Sequence, residues 1–542
     1  MRVCTVKPKT LLIGVDGATF TVLDQLMAQN GMPFLAAFLA DGVRAGLRSI
    51  VPALTPPAWT SLMTGKRPGN HGVFDFFRME SRNNRHIRFF TSFDVQSETL
   101  WSLASSAGMR VTVLNFPATF PAPQLPGFIV PGWVPWRQLR LACWPSHLFD
   151  TLKQNVPGFN PRELAMDIGL EERATEGCSD ANEYAPWIEL HTRREENWYD
   201  IVRALDAEQP SELTAVLFDG VDKLQHLCWR FIRPEDAQPL TEEWELRVRE
   251  LCLEYFRRLD KIIERLCEAV GPDTTVVIAS DHGFQGSKEV FHLNAWLAEH
   301  GYLQWNQEVA NQAPDRLLGV GQVARHTWQM DWSRTTAFAA TPTSNGVFIV
   351  VDWDGNSPGI KPAEYESFRA RLADELRAVR HPETGAPVVE NVFTKDQIFG
   401  QPHSEVAPDL TVTLRDGGLI SILPSTRIVS QRPAVSGVHA PIGVFAAKGP
   451  GIRKNVTIDD LSILDIAPIV LRSLGLGVPS DMEGAAPDAL YVDPAAVRAA
   501  APAPVPIASK APVPNGMADV PALSQEDEQL VLSRLRELGY LE

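Results

Sequence analysis

The sequence predicts an α/β protein with a mainly parallel central sheet flanked by helices, and two observations carry that prediction. Short apolar runs recur, each closed by small or acidic residues: Leu11–Val15, Arg110–Leu114, Leu213–Phe218, Thr274–Ala279, Gly346–Val351 and Pro441–Ala447. Their length and their turn-forming ends suit buried strands. Between several of them the period is helical. In Trp244–Val270, Leu246, Val248, Leu251, Leu253, Phe256, Leu259, Ile262, Ile263 and Leu266 recur at roughly three-to-four spacing. Strands alternating with amphipathic helices make βα units, and in such sheets ligands sit beyond the carboxyl ends of the strands.

The first run, Leu11–Val15, follows a few basic residues but is shorter than a secretory h-region of ~7–15 residues, and Asp16 ends it. No stretch reaches the ~18 apolar residues of a membrane span, so a soluble, cytoplasmic protein with no membrane partner is expected. Pro117–Asn197 is rich in Pro and Trp and does not read as a regular βα unit; Gln285–Arg432 has its own helix, Pro362–Val379, and several short strands. Both read as insertions capping a core, and loops of that size are commonly functional. The expected organisation is one domain over 9–485 with insertions near 117–197 and 285–432, an Ala/Pro-rich linker over 486–523, and a final helix over 524–542. That helix opens at Ser524 and stops at Gly539, with Leu530, Leu532, Leu535 and Leu538 as its apolar positions.

Composition narrows the function. Of 542 residues, 44% are hydrophobic and 21% charged, which is ordinary globular usage. Lys+Arg 50 against Asp+Glu 66 leaves −16. A nucleic-acid polymer is therefore not the expected partner, because neutralising phosphates calls for a basic excess. A small anionic substrate is compatible if a metal reverses the local field. The six cysteines include no C-x-x-C pair, which excludes a zinc ribbon and suits reduced thiols.

The strand exits deliver a coherent set of side chains: Asp16, then Asp222 and His226, then Asp281 and His282 before Gly283, and finally His439 in Gly437–Val438–His439. Asp222 and His226 are four apart and share a helix face. Carboxylates and imidazoles together suit a pair of borderline divalent ions. Pro52–Gly65 adds Thr55 at a helix start marked by Pro56 and Pro57, where a hydroxyl beside an anion-binding helix end can serve as nucleophile. The following Lys66–Arg67–Pro68–Gly69–Asn70–His71–Gly72 is not a Walker A loop, and no G-x-S-x-G elbow occurs.

In order and spacing, Asp16, Thr55-Pro-Pro-Ala-Trp-Thr-Ser-Leu-Met-Thr-Gly, His71-Gly72, Asp222-x-x-x-His226, Ser280-Asp281-His282-Gly283 and His439 resemble the type I phosphodiesterase/nucleotide pyrophosphatase branch of the alkaline phosphatase superfamily. The resemblance runs from about residue 9 to 485 and includes Lys448–Ile452, Ile463–Pro468 and Asp481–Gly484. It implies an alkaline-phosphatase-like core with inserted caps and two divalent ions, usually zinc, with manganese as the other candidate. One ion would be held by Asp16, Asp281, His282 and Thr55, the other by Asp222, His226 and His439. Thr55 would attack a small-molecule phosphodiester or pyrophosphate and pass through a phosphothreonine. A phosphomonoesterase, a phosphoglycerate-mutase-like enzyme and a non-catalytic metal- or phosphate-binding protein are the alternatives; a sulfatase would need Cys or Ser in place of Thr55. Nucleotide-cleaving members place a phosphate-binding Asn downstream of the nucleophile, where Asp75 and Phe76 stand here. Either Lys66, Arg67 or Asn70 replaces it as a substrate contact, or the substrate differs from a nucleotide.

Overall fold

Five of the six apolar runs become neighbours in one sheet of a computed structural model that describes residues 8–79, 87–165, 181–306, 326–353, 355, 358–400 and 403–500. The strands are β1 (Lys9–Val15), β2 (Val43–Arg48), β3 (Val111–Leu114), β4 (Gly127–Val130), β5 (Leu213–Phe218), β6 (Thr274–Ala279) and β7 (Ile442–Lys448). They lie in the order β2–β7–β6–β1–β5–β3–β4, with Val456–Thr457 and Leu461–Ser462 added along β2. Only β7 runs against its neighbours β2 and β6; the other neighbouring pairs are parallel. β1 sits centrally, and its side chains alternate between two cores. Leu11, Ile13 and Val15 join the cluster on one face, while Leu12 joins the cluster on the other. A strand buried on both faces reads as a continuous apolar run, which is why it was visible in the sequence.

Helix α1 (Thr55–Thr64) covers one face, whereas α2 (Ala181–Glu208), α3 (Gly220–Ile232) and α4 (Glu243–Val270) cover the other. The periodicity located α4 to within one residue. Its first expected apolar position, Leu246, is 53% exposed and Leu251 and Leu253 are half-buried, while Val248, Phe256, Leu259, Ile262, Ile263 and Leu266 are buried. No helix among the described residues is long and apolar enough to cross a membrane.

Three boundaries move. Gly346–Val351 supplies a strand, Gly346–Ile349, to a separate four-stranded sheet with Ala337–Phe338, Leu410–Leu414 and Val389–Thr394. An apolar run reports burial, not which sheet buries it. The expected insertion near 117–197 contributes β4 to the edge of the central sheet and the start of α2, so it is partly core. The expected linker over 486–523 is packed at its beginning. Leu490 and Tyr491 are buried beside β2, Tyr491 bridges to Ile452, and Pro494–Ala500 is helical. Residues 501–523 and the expected helix over 524–542 lie outside the described residues. The insertion over 285–432 does carry its own helix, Tyr365–Arg377, after a short turn at Pro362–Glu364.

Core and cap are joined by a buried carboxyl. Asp75 Oδ2 accepts from the Thr341 hydroxyl at 2.5 Å and Oδ1 from the Thr343 hydroxyl at 2.5 Å, and Phe76 N–H donates to Oδ1 at 2.6 Å. Burial pushes this carboxyl up to about 6, against the pull of those bonds. An acid whose value is raised on folding is tolerated best when protonated. Its contribution to stability is therefore present below pH 4 and declines as pH rises from about 4 to about 6, by roughly 3 kcal/mol in all. Thermal unfolding of the wild type and Asp75→Asn across pH 4–7 should show a difference in stability that changes through this window and is level above it. A level difference throughout would mean that Asp75 does not titrate there.

Candidate metal centre at the strand ends

Each candidate side chain is delivered by an element that the sheet fixes. Asp16 follows β1, and Gly17 turns the chain with φ +67°, where a Cβ would lie 2.6 Å from the Phe284 ring and 3.2 Å from Asp222 Cα. Asp281 and His282 follow β6. Asp222 and His226 occupy successive turns of α3, which β5 feeds. His439 is on the long strand Val429–Ala440, opposite Phe284 of Gly283–His292. Thr55 opens α1. All seven expected ligands are brought together.

Backbone carbonyls fix the three imidazoles. His226 Nδ1 lies 3.0 Å from Gly437 O, His282 Nδ1 3.1 Å from Gly283 O, and His439 Nδ1 2.8 Å from Ala53 O. A carbonyl only accepts, so each Nδ1 carries the hydrogen and each Nε2 turns a lone pair inward. His226 Nε2 and His439 Nε2 stand 3.1 Å apart, at 3.4 and 3.2 Å from Asp222 Oδ1. His282 Nε2 is 3.2 Å from Thr55 Oγ1, 3.2 Å from Asp281 Oδ2, 3.6 Å from Asp16 Oδ1 and 4.0 Å from Asp222 Oδ1.

The carboxylates are half-satisfied in the same manner. Trp59 Nε1–H donates to Asp16 Oδ2 at 3.2 Å, and Gly17 N–H donates to Asp281 Oδ1 at 3.2 Å. Asp16 Oδ1 and Asp281 Oδ2 are buried without a hydrogen-bond partner. Burial first, then the neighbouring carboxylates, raises Asp16 well above the ordinary range; burial, with the Asp222 charge, does the same to Asp281. Burial keeps His282 and His439 neutral, which is the ligand form. Among the described residues no Lys or Arg pairs with these three aspartates. Inward lone pairs and orphaned carboxylate oxygens suit divalent cations.

Two groups lie close enough to share an ion: Asp16, Asp281 and His282, and Asp222, His282 and His439. The resemblance assigned His282 to the first site only. Its ring stacks on His439 with centroids 3.5 Å apart, so His282 borders both. His226 adjoins the second group through Asp222 and His439.

The expected substrate contacts are elsewhere. Lys66, Arg67 and Asn70 follow α1, whose ten residues separate them from Thr55 by about 15 Å. Lys66 pairs with Asp481, Arg67 Nε with Glu483 Oε1 at 2.6 Å, and Asn70 Nδ2 with Glu483 Oε2 at 2.7 Å. They anchor the loop carrying Asp481 and Glu483 and do not face the metal centre. The helix start that remains offers few donors. Pro56 and Pro57 have no N–H, and Ala58 N–H is spent on Leu54 O, which leaves the N–H of Thr55 itself. Asp75, in place of the family's Asn, is committed to Thr341 and Thr343. His71 is a core residue bonded to Ser61 Oγ at 2.9 Å, and burial takes its imidazole down to about 3.

Trp59 was quoted in the motif without a role. Its position four residues after Thr55 places it on the same helix face, which is the signal that could have found it. The holding carbonyls of Ala53, Gly283 and Gly437 carry no side-chain signal at all.

Residues 10–423 match the family described as Type I phosphodiesterase / nucleotide pyrophosphatase. No curated protein matches the chain. Similar solved structures include murine ectonucleotide pyrophosphatase / phosphodiesterase 5, at 15% identity and a TM-score of 0.47, covering 86% of this chain and 95% of that one. An inactive variant of the murine protein in complex with AMP matches at 14% identity and a TM-score of 0.46, with the same coverage.

Trp59→Phe should keep the fold but release Asp16 Oδ2, weakening metal affinity by roughly tenfold to a hundredfold in a chelator-competition titration. Unchanged affinity would reduce Trp59 to a packing residue. Lys66→Ala and Arg67→Ala should leave kcat/KM within about threefold of wild type, because neither approaches the centre; a larger loss with intact folding would restore them as substrate contacts.

Proposed function

The chain belongs to the type I phosphodiesterase / nucleotide pyrophosphatase family, and from that premise we propose that it hydrolyses a small-molecule phosphodiester or pyrophosphate with two divalent ions and Thr55 as nucleophile. The observation that carries the proposal is the convergence of seven side chains, five of which (Asp16, Asp281, His226, His282 and His439) have inward atoms left open by their backbone or indole partners. Asp16, Asp281, His282 and Thr55 would hold one ion, and Asp222, His226 and His439 the other. Zinc suits this mixed nitrogen and oxygen set, with manganese next. Bound ions would offset the crowded carboxylates and polarise the phosphoryl group.

The protein's own part is positioning. The start of α1 directs the Thr55 hydroxyl toward His282 Nε2, at the edge of the first ligand group. Thr55 Oγ gives up its proton and attacks phosphorus in line as the ester P–O bond breaks and the departing oxygen takes up a proton, giving a phosphothreonine. Water then cleaves the Thr55–phosphorus bond, restoring the Thr55 hydroxyl and releasing a phosphate monoester. A diester presents one negative charge and a monoester up to two. With Lys66 tied to Asp481 and Arg67 to Glu483, no side-chain cation is assigned to a second charge, which supports the diester over the monoesterase and mutase-like alternatives. The cytoplasmic location belongs to this proposal, supported by the free thiols Cys143, Cys252 and Cys267.

A panel of a bis-aryl phosphate, an aryl phosphate and an aryl sulfate, each with and without zinc or manganese, tests the reading. The bis-aryl phosphate should be the preferred substrate, and only with metal. Faster turnover of the aryl phosphate would shift the assignment to a monoesterase. In the same assay Thr55→Ala should lose on the order of 10⁴-fold in kcat while the fold and at least one ion are kept. Retention of most activity would make water the nucleophile.

A further inference from the structure

Behind the second group of ligands lies a set of buried ionisable side chains that the chemistry does not use. Glu195 comes from α2, Asp219 and Lys223 from the start of α3, and Tyr255 from α4, and each is at most 3% exposed. Burying such groups costs several kcal/mol per ion unless each is paired and hydrogen-bonded, so their partners are informative. Lys223 Nζ meets Asp219 Oδ2 at 2.5 Å. Asp219 is the residue before the first turn of α3, where an Asp ordinarily caps the helix, yet its side chain makes no capping bond.

The cap comes from another helix. Glu195 Oε1 accepts the Gly220 N–H at 2.8 Å and the Tyr255 O–H at 3.0 Å. Gly220 is shaped to this contact: a Cβ there would lie 2.6 Å from Glu195 Oε1 and 2.5 Å from the Tyr255 oxygen. Burial, and then the Asp219 charge, pushes the Glu195 carboxyl up to about 8, so a neutral side chain with the same acceptor oxygen can replace it.

Asp222 and His226 stand on the first two turns of the helix held in this way, whereas Asp16, Asp281 and His282 come from the ends of β1 and β6. Any rotation or fraying of α3 therefore moves Asp222 and His226 directly, whereas Asp16, Asp281 and His282 keep their own anchorage at the strand ends. We propose that Glu195, backed by Tyr255 and the Asp219–Lys223 pair, is the positioning residue of the second metal site, acting on Asp222 and His226 through the first turn of α3. The inference rests on the two-metal reading above.

The test is a zinc titration of the full chain with chelator competition, resolving two affinities, alongside thermal unfolding of the metal-free protein. Glu195→Leu removes the acceptor and should weaken the second site by roughly tenfold to a hundredfold while leaving the first within about twofold. Glu195→Gln keeps an acceptor oxygen and should restore the second site to within about threefold. Tyr255→Phe, which deletes a single bond and keeps the ring, should weaken the second site alone by a smaller factor; it carries the test should the Leu variant fail to fold. Wild-type affinity at both sites, or equal weakening of both, in a folded Leu or Phe variant would overturn the proposal in favour of a purely structural cluster. Failure of Gln to rescue would also overturn it. Fewer than two zinc ions on the wild type would remove the two-metal reading, and this inference with it.

Discussion

The structure depends on a concentration of negative charge where it is least comfortable. Asp16, Asp222 and Asp281 are buried together at the carboxyl ends of the central strands, and among the described residues they have imidazoles but no Lys or Arg for ion-pair partners. Removing carboxylates from water is costly, and crowding like charges adds to that cost. The neighbouring geometry does not relieve the strain internally. It directs one oxygen of Asp16 and one of Asp281 to N–H donors and leaves the other bare. A cation is the group that completes such a set.

That requirement explains why the surroundings are rigid. The parallel strands β1, β5 and β6 end side by side, so the turns after them meet without long loops. Glycine at position 17 lets the first turn pass under Phe284 and against Asp222. The carbonyls that fix the three Nδ1 atoms come from Ala53, Gly283 and Gly437, parts of the backbone already constrained by α1 and the cap strands. Orientation of ligands by such partners tunes metal sites as strongly as the ligands themselves do.

The cap is tied to the core by the same kind of interaction at lower cost. Asp75 is buried between Phe76 N–H, Thr341 and Thr343, and its carboxyl lies near the range where it is neutral. Arg67, Lys66 and Asn70 tie down the loop near Glu483 at the other end of α1. One helix thus carries Thr55 at its start and a structural anchor at its end.

The sequence by itself determined the parallel sheet, α4, and the seven side chains that meet at the strand ends. Strands buried on both faces leave unbroken apolar runs, and ligands at strand exits follow those runs directly. Lys66, Arg67 and Asn70 were misplaced because closeness in sequence to Thr55 is not closeness in space across a ten-residue helix. That the strand at Gly346–Ile349 joins the separate four-stranded sheet could not be read from its apolarity, which is the same in either core. The pairing of Asp75 with Thr341, the capping of Gly220 by Glu195 and the carbonyls that set each tautomer were decided by tertiary structure alone. Each joins residues far apart in the chain or uses backbone atoms that every residue shares, so no local pattern records them.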